Sequence, residues 1–177
     1  MNQATQLSDV ATLRARARQN VEDGPVTEGY SADRETVLRL LNQSLATELV
    51  CVLRYKRHYF MASGLKASVA AAEFQEHAKQ EAEHADLLAE RIVQLGGEPE
   101  FNPDLLSKNS HAQYVAGTTL KEMVYEDLVA ERIAVDSYRE IIQYLGDDDP
   151  TTRRIFESIL AQEEEHADDM ADIYQDL

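Results

Sequence analysis

Beyond about residue 30, apolar side chains return every three or four positions, the spacing that lines up one face of a helix. Four such stripes run along the chain. The first is Val37, Leu41, Ser44, Glu48, Val52, Tyr55, Tyr59; it ends in "MASGL", where Ser63-Gly64 breaks the period. The second is Ala70, Phe74, His77, Glu81, His84, Leu88, Arg91 or Ile92, and Leu95, stopped by Gly96-Gly97. The third is Leu120, Val124, Asp127, Glu131, Ala134, Tyr138, Ile141, Leu145, ended by Gly146. The fourth is Phe156, Ile159, Glu163, His166, Met170, Ile173, Leu177. Start signals agree with the stripes. Ser31 or Asp33 can cap the first helix, Thr119 and Glu122 form a capping box, and Asp149-Pro150 opens the fourth. Alternating steps of three and four make the seam of a bundle packed at shallow angles, and no strand pattern competes. The fold class expected is all-α, with four long helices.

Connection lengths set the helix directions. The first and second helices, and the third and fourth, are joined by a few residues, so each pair is antiparallel. The link from Gly96 to Gly117 has about 22 residues. At roughly 3.3 Å per extended residue it can run the full ~42 Å of a helix of about 28 residues. That permits the second and third helices to be parallel, in up-down-down-up order with a long crossover. A slack loop between antiparallel neighbours is the alternative.

The stripes are not wholly apolar. Q-E-x-E-H-A-D occurs twice, at Gln80–Asp86 and Gln162–Asp168, in a chain with five histidines. Glu81 and His84 are three residues apart on the second stripe, and Glu163 and His166 repeat this on the fourth. Glu48 and Glu131 interrupt the other two. Phe74 and Phe156 precede the motif glutamates by equal distances, and Tyr55 and Tyr138 follow Glu48 and Glu131 alike. The chain therefore reads as two copies of one helical hairpin around a pseudo-twofold axis. Four carboxylates and two imidazoles would face one dry interior. One unpaired buried carboxylate costs several kcal/mol, so four together need neutralising. Two divalent cations would cancel their charge, and oxygen-rich ligation with two imidazoles suits iron or manganese. Glu83, Glu164 and Glu165 fall off the seam and read as solvated. His77 reads as a core or supporting histidine, and His58 and His111 carry no pattern.

One glutamate from each of two helices and E-x-x-H from each of the other two is the di-metal set of ferritin-like bundles. From about Thr36 to Leu177 the chain resembles the bacterioferritin and Dps-like branch of that superfamily, in "LNQSLATELVCVLRY", "EAEHADLLAERI", "EDLVAERIAVDSYREII" and "ILAQEEEHADDM". The resemblance implies a ferritin-like four-helix bundle in which Glu81 and Glu163 bridge two irons per subunit. Glu48 and His84 would complete one metal, Glu131 and His166 the other. It implies a ferroxidase that oxidises Fe(II) with O₂ or H₂O₂ and stores Fe(III) in a hollow shell. The alternative is a di-iron or di-manganese peroxidase, catalase or oxygenase without storage. Tyr55 matches a tyrosine near the family's site and would be a one-electron donor or a packing residue. Asp127, one turn before Glu131, would hydrogen-bond a ligand histidine from outside. Ala82 stands where haem-binding bacterioferritins have methionine, so no haem is expected. Glu76 and Gln80 replace the histidine and aspartate of an inward iron route, which calls that route into question. Eleven residues follow His166, too few for the fifth helix of 24-subunit cages, so a Dps-like shell of 12 is favoured.

Composition narrows the setting. A chain of 177 residues forms one domain with a good core, and its longest apolar runs look too short for a bilayer. One cysteine, Cys51, and no apolar leader fit a reducing cytoplasm. The net charge of −16 repels nucleic acid and anionic membranes and attracts cations, or simply keeps the protein soluble. Residues 1–30 differ from the rest: they hold Gly24, Pro25 and Gly29 and read as a mobile arm with room for one helical turn or more. Arg14, Arg16 and Arg18 there are nearly offset by Asp9, Glu22, Asp23 and Glu28, so DNA binding is not expected.

Overall fold

The computed structural model describes residues 7–177; the first six residues of the expected arm lie outside them. Four long helices form the bundle: α2 (Arg34–Met61), α3 (Ala67–Gln94), α5 (Leu120–Leu145) and α6 (Pro150–Asp176). Two short helices, α1 (Val10–Arg16) and α4 (Pro103–Asn109), lie outside it in sequence. The described residues form no strand.

Two of the three expected start signals work as caps, and α4 adds a third cap that was not expected. Thr119 and Glu122 close the capping box of α5, Asp149 accepts from the Thr152 amide at the head of α6, and Asn102 accepts from the Asp104 amide at the head of α4. Each such cap contributes about 1 kcal/mol. At α2 the cap position is Asp33, but its carboxylate takes the Thr36 hydroxyl and caps no backbone amide.

Side-chain pairings fix the directions. Tyr55 of α2 meets Glu131 of α5 while Tyr138 of α5 meets Glu48 of α2, so these two helices run antiparallel. His84 and Gln80 of α3 meet Gln162 and His166 of α6 in reversed order, so that pair is antiparallel too. With both hairpins antiparallel, α3 and α5 are parallel, and the order is up-down-down-up. The crossover covers this length as expected. It is not slack: α4 sits within it, and Leu106 packs on Ala46 and Val50 of α2. Seven residues with one apolar pair carry too little periodicity to announce a helix, although Asn102-Pro103 is a start signal. Further on, Arg54 and His58 of α2 donate to the Gln113 and Ala116 carbonyls, and Arg57 donates to Ala116 as well.

The core is two apolar plugs with a polar layer between them. At one end Leu41, Leu45, Leu88, Ile92, Tyr138, Phe156 and Ile159 pack together; at the other Tyr55, Phe74, Val124, Met123 and Met170 do. Each large side chain buried there stabilises the fold by roughly 1.5–3 kcal/mol. The predicted stripes are the buried faces, loosening only at helix ends, where Tyr59, Leu120, Ile173 and Leu177 are part-exposed. Arg91, on the seam of α3, pairs with Asp149 at 3.0 Å and donates to the Thr152 hydroxyl, pinning the start of α6.

Two expectations change. An 18-residue stretch of α2 is long and apolar enough to cross a bilayer, contrary to the impression from apolar runs; half of it is buried within the bundle, as in a core helix. The arm also ends earlier than residue 30. Val26 and Tyr30 pack on the core, and the Tyr30 hydroxyl donates to Asp149 at 2.9 Å. Arg14 and Arg16 lie on the exposed α1.

Candidate metal centre

The polar layer is where the six seam residues meet. Glu48, Glu81, His84, Glu131, Glu163 and His166 are each at most 2% exposed. Their donor atoms form two overlapping clusters, each with all atoms within 4.8 Å of one another: Glu48, Glu81, His84 and Glu163, and Glu81, Glu131, Glu163 and His166. Glu81 and Glu163 belong to both. His84 Nδ1 lies 3.0 Å from Glu163, 3.4 Å from Glu48 and 3.8 Å from Glu81. His166 Nδ1 lies 3.5 Å from Glu81 and Glu163 and 3.8 Å from Glu131. None of these approaches has hydrogen-bond geometry. Seven buried atoms are thereby left without a partner: Glu48 Oε2, Glu81 Oε1, Glu131 Oε2, both Glu163 oxygens and Nδ1 of both histidines. Leaving even one such group unpaired costs about 1–3 kcal/mol, more if charged.

The imidazoles are held from outside. His84 Nε2 donates to Gln162 Oε1 and His166 Nε2 donates to Gln80 Oε1, both at 2.8 Å. Each motif's glutamine thus orients the other motif's histidine, and each Nδ1 is left facing the centre. These glutamines stand in the repeat itself, yet no spacing within one helix marks them as partners of the histidines. Their pairing needs two helices brought together. The hydroxyls are equally reciprocal: Tyr55 donates to Glu131, and Tyr138 to Glu48.

Without a cation, the electrostatics favour protons at the centre. Burial and the neighbouring Glu81 push Glu48 well up. Burial, Glu48 and Glu131 push Glu163 up to about 8. Burial works against charge on the imidazoles, but the surrounding carboxylates outweigh it, raising His84 and pushing His166 up to about 12. Glu131 goes the other way. Burial raises it, but contacts with His166, Glu163 and Tyr55 outweigh that and hold it at about 2.

Asp127 does not support a histidine of the centre. Its carboxylate accepts from Arg54 Nε at 2.6 Å and pairs with His58 Nδ1 at 2.8 Å, all three side chains being buried. The outer nitrogens of His84 and His166 are already taken by glutamines, so Asp127 serves α2 instead. His58, which showed no pattern, belongs to this trio because it lies one turn beyond Arg54. His111 accepts a place beside Thr47, whose hydroxyl receives the His111 amide at 2.9 Å. His77 is a supporting residue, as expected: it is buried, stacks on His166 at 4.0 Å and contacts the Tyr55 hydroxyl at 3.2 Å. Glu83, Glu164 and Glu165 are exposed.

Known proteins resemble this chain in sequence and in fold. The ferritin-like domain family matches residues 38–177. A bacterioferritin of Mycobacterium avium is 34% identical over 137 residues, covering 75% of this chain and 79% of that protein. One from Desulfovibrio desulfuricans is 27% identical over 140 residues, covering 78% and 74%. Among solved structures, the bacterioferritin-related protein of Bacteroides fragilis, described as a dodecameric thioferritin, superposes with TM-score 0.80 at 30% identity, over 82% of this chain and 88% of that one. Dps from Staphylococcus aureus shares the fold, with TM-score 0.76 at 20% identity over 79% and 95%. By sequence and by fold, then, this chain belongs to the ferritin-like superfamily, in its bacterioferritin and Dps-like branch.

Proposed function

We propose that this protein is a ferroxidase and iron-storage subunit whose substrate, Fe(II), binds in pairs inside the single chain. The observation that carries this is the set of seven buried, partnerless donor atoms. Four carboxylates with two neutral imidazoles present four negative charges, and two divalent cations offset them. Glu48 and His84 would hold one ion and Glu131 and His166 the other, with Glu81 and Glu163 between them. Iron is favoured by the relatives' name, bacterioferritin; manganese fits the same oxygen-rich donors.

The reaction balances with peroxide as oxidant. Two Fe(II) give up one electron each, the O–O bond takes both with two protons, and two waters leave. The chain's part is to hold the ions together, exclude bulk water with its two apolar plugs, and let carboxylates shift as charge grows. With peroxide the two irons supply both electrons, so the part we assign to Tyr55 is to hold Glu131 by its hydrogen bond beside the centre. A cytoplasmic shell of 12 subunits is the assembly we propose, after the dodecameric neighbour.

Mass measured before and after aerobic Fe(II) loading tests the reading. A cage taking up hundreds of irons supports it; a small oligomer that stops at two per chain would favour a di-metal peroxidase, catalase or oxygenase. Glu81→Ala combined with His166→Ala should abolish fast Fe(II) oxidation, and an unchanged rate would put the site elsewhere.

A further inference from the structure

One cluster of ionisable groups is not used by the centre. Glu73 and His77 of α3 and Asp169 of α6 bring their donor atoms within 4.8 Å of one another. His77 Nε2 lies 3.4 Å from Asp169 and 3.7 Å from Glu73. The two carboxylate side chains are 44% and 37% exposed, while the imidazole is only 2% exposed. The cluster therefore leads from solvent into the bundle, and ends on a ring stacked against His166.

Tyr55 gives its hydroxyl proton to Glu131, and its oxygen contacts His77 Nδ1 at 3.2 Å. Nε2 faces the two carboxylates, with a long hydrogen bond of 3.4 Å to Asp169. A divalent cation in place of the proton between them would draw on all three side chains. This is the arrangement of the centre on a smaller scale: one ring nitrogen tied to a supporting group, the other presented to acidic oxygens.

The twin hairpin shows that the cluster is not a by-product of the repeat. Shifted by the spacing of the two motifs, Glu73, His77 and Asp169 fall on Ile155, Ile159 and Leu87. Ile159 is fully buried in the apolar plug. The equivalent positions beside the Glu48/His84 half are all apolar.

We propose that Glu73, His77 and Asp169 form a third divalent-cation site in the groove between α3 and α6, through which Fe(II) passes to and from the Glu131/His166 half. The passage role rests on the ferroxidase reading above; the cation site does not. Two carboxylates and one imidazole suit the same ions as the centre, and three protein ligands leave positions for water, as a transit site needs.

Co(II) alone is a suitable probe. Crystals of the full chain equilibrated with Co(II) should show anomalous peaks at the central pair and a third beside His77 Nε2. In the double variant Glu73→Gln, Asp169→Asn, the third peak should vanish and the central pair remain. Both substitutions are at half-exposed side chains, so folding is not at stake. First-turnover oxidation at limiting Fe(II) should slow by about tenfold in that variant, as expected when a charged funnel is neutralised. A filled centre with nothing beside His77 in the parent protein would overturn the proposal and leave the ferroxidase reading intact; it would mean that a proton occupies Nε2. An unchanged rate in the double variant would overturn the passage role. An empty centre beneath a filled outer site would overturn the ferroxidase reading and, with it, the passage role.

Discussion

The Glu48/His84 half of the centre and the Glu131/His166 half are built from equivalent residues in different surroundings. Each has a terminal glutamate bonded by a tyrosine from across the axis, and a histidine held by the other motif's glutamine. Outward from there the likeness ends. Asp127, Arg54 and His58 beside Glu131 correspond to Ser44, Ser137 and Ile141 beside Glu48. His77 corresponds to Ile159. One half is embedded in a charged network with access to solvent, the other in packed aliphatic groups. The bare carboxylates respond accordingly: Glu48 is pushed well up by burial and Glu81, whereas burial of Glu131 is outweighed by its polar contacts and it stays at about 2. The comparison teaches that the repeat sets the ring of donors, while the residues behind the ring decide how each donor behaves.

The largest effect should come from a residue that both halves share. Glu163→Ala removes donor atoms from both clusters, and stopped-flow measurement should find Fe(II) oxidation slower by about 100-fold or more, beyond the range of outer-partner losses. A loss of only a few-fold would mean that the halves act independently.

Next comes the contrast behind the ring. Asp127→Ala leaves the buried Arg54 without its partner and should destabilise the metal-free protein by about 3–5 kcal/mol in denaturant titration. Ser44→Ala, at the equivalent position, removes a hydroxyl that makes no hydrogen bond and should change stability by less than about 0.5 kcal/mol. Similar losses at the two positions would erase the distinction drawn here.

The glutamines probe what the halves have in common. Gln80→Leu and Gln162→Leu should each weaken Co(II) binding by about 10–100-fold, to a similar degree. A large inequality would show that the outer surroundings dominate even the orientation of the imidazoles.

The smallest effect is in pH. A carboxyl raised on folding stabilises in acid, and that contribution is lost as pH climbs through its folded value. Glu163, moved from near 4.5 to about 8, and Glu48, raised likewise, should make the melting temperature of metal-free protein fall as pH rises from 5 to 8. Glu131, lowered to about 2, contributes constantly over that window. Saturating Mn(II) should remove the decline, since the cations replace the protons. A flat profile without metal would count against the acidic ring as described.

Much of this was legible beforehand because helices write their neighbours at fixed intervals. Glu81 with His84, and Glu163 with His166, share faces by spacing alone, and Glu48 and Glu131 stand out as acids on apolar stripes. What misled was reach. Asp127 lies one turn from Glu131, and position suggested that it would serve a histidine of the centre; the outer ring nitrogens had already been taken by Gln80 and Gln162. α4 passed unnoticed because seven residues bury one side chain, Leu106, and so carry almost no period.

The sequence by itself determined the four helices, their seams, the hairpin repeat and the six donors, since each depends on contacts within a few residues of the chain or on simple periodicity. Only the tertiary structure decided which tyrosine meets which glutamate, which glutamine turns which histidine, and that His77 meets Asp169. Those pairings span 76 to 92 residues and depend on the rotation and height of one helix against another. Packing of whole faces sets these quantities, and no local interval encodes them.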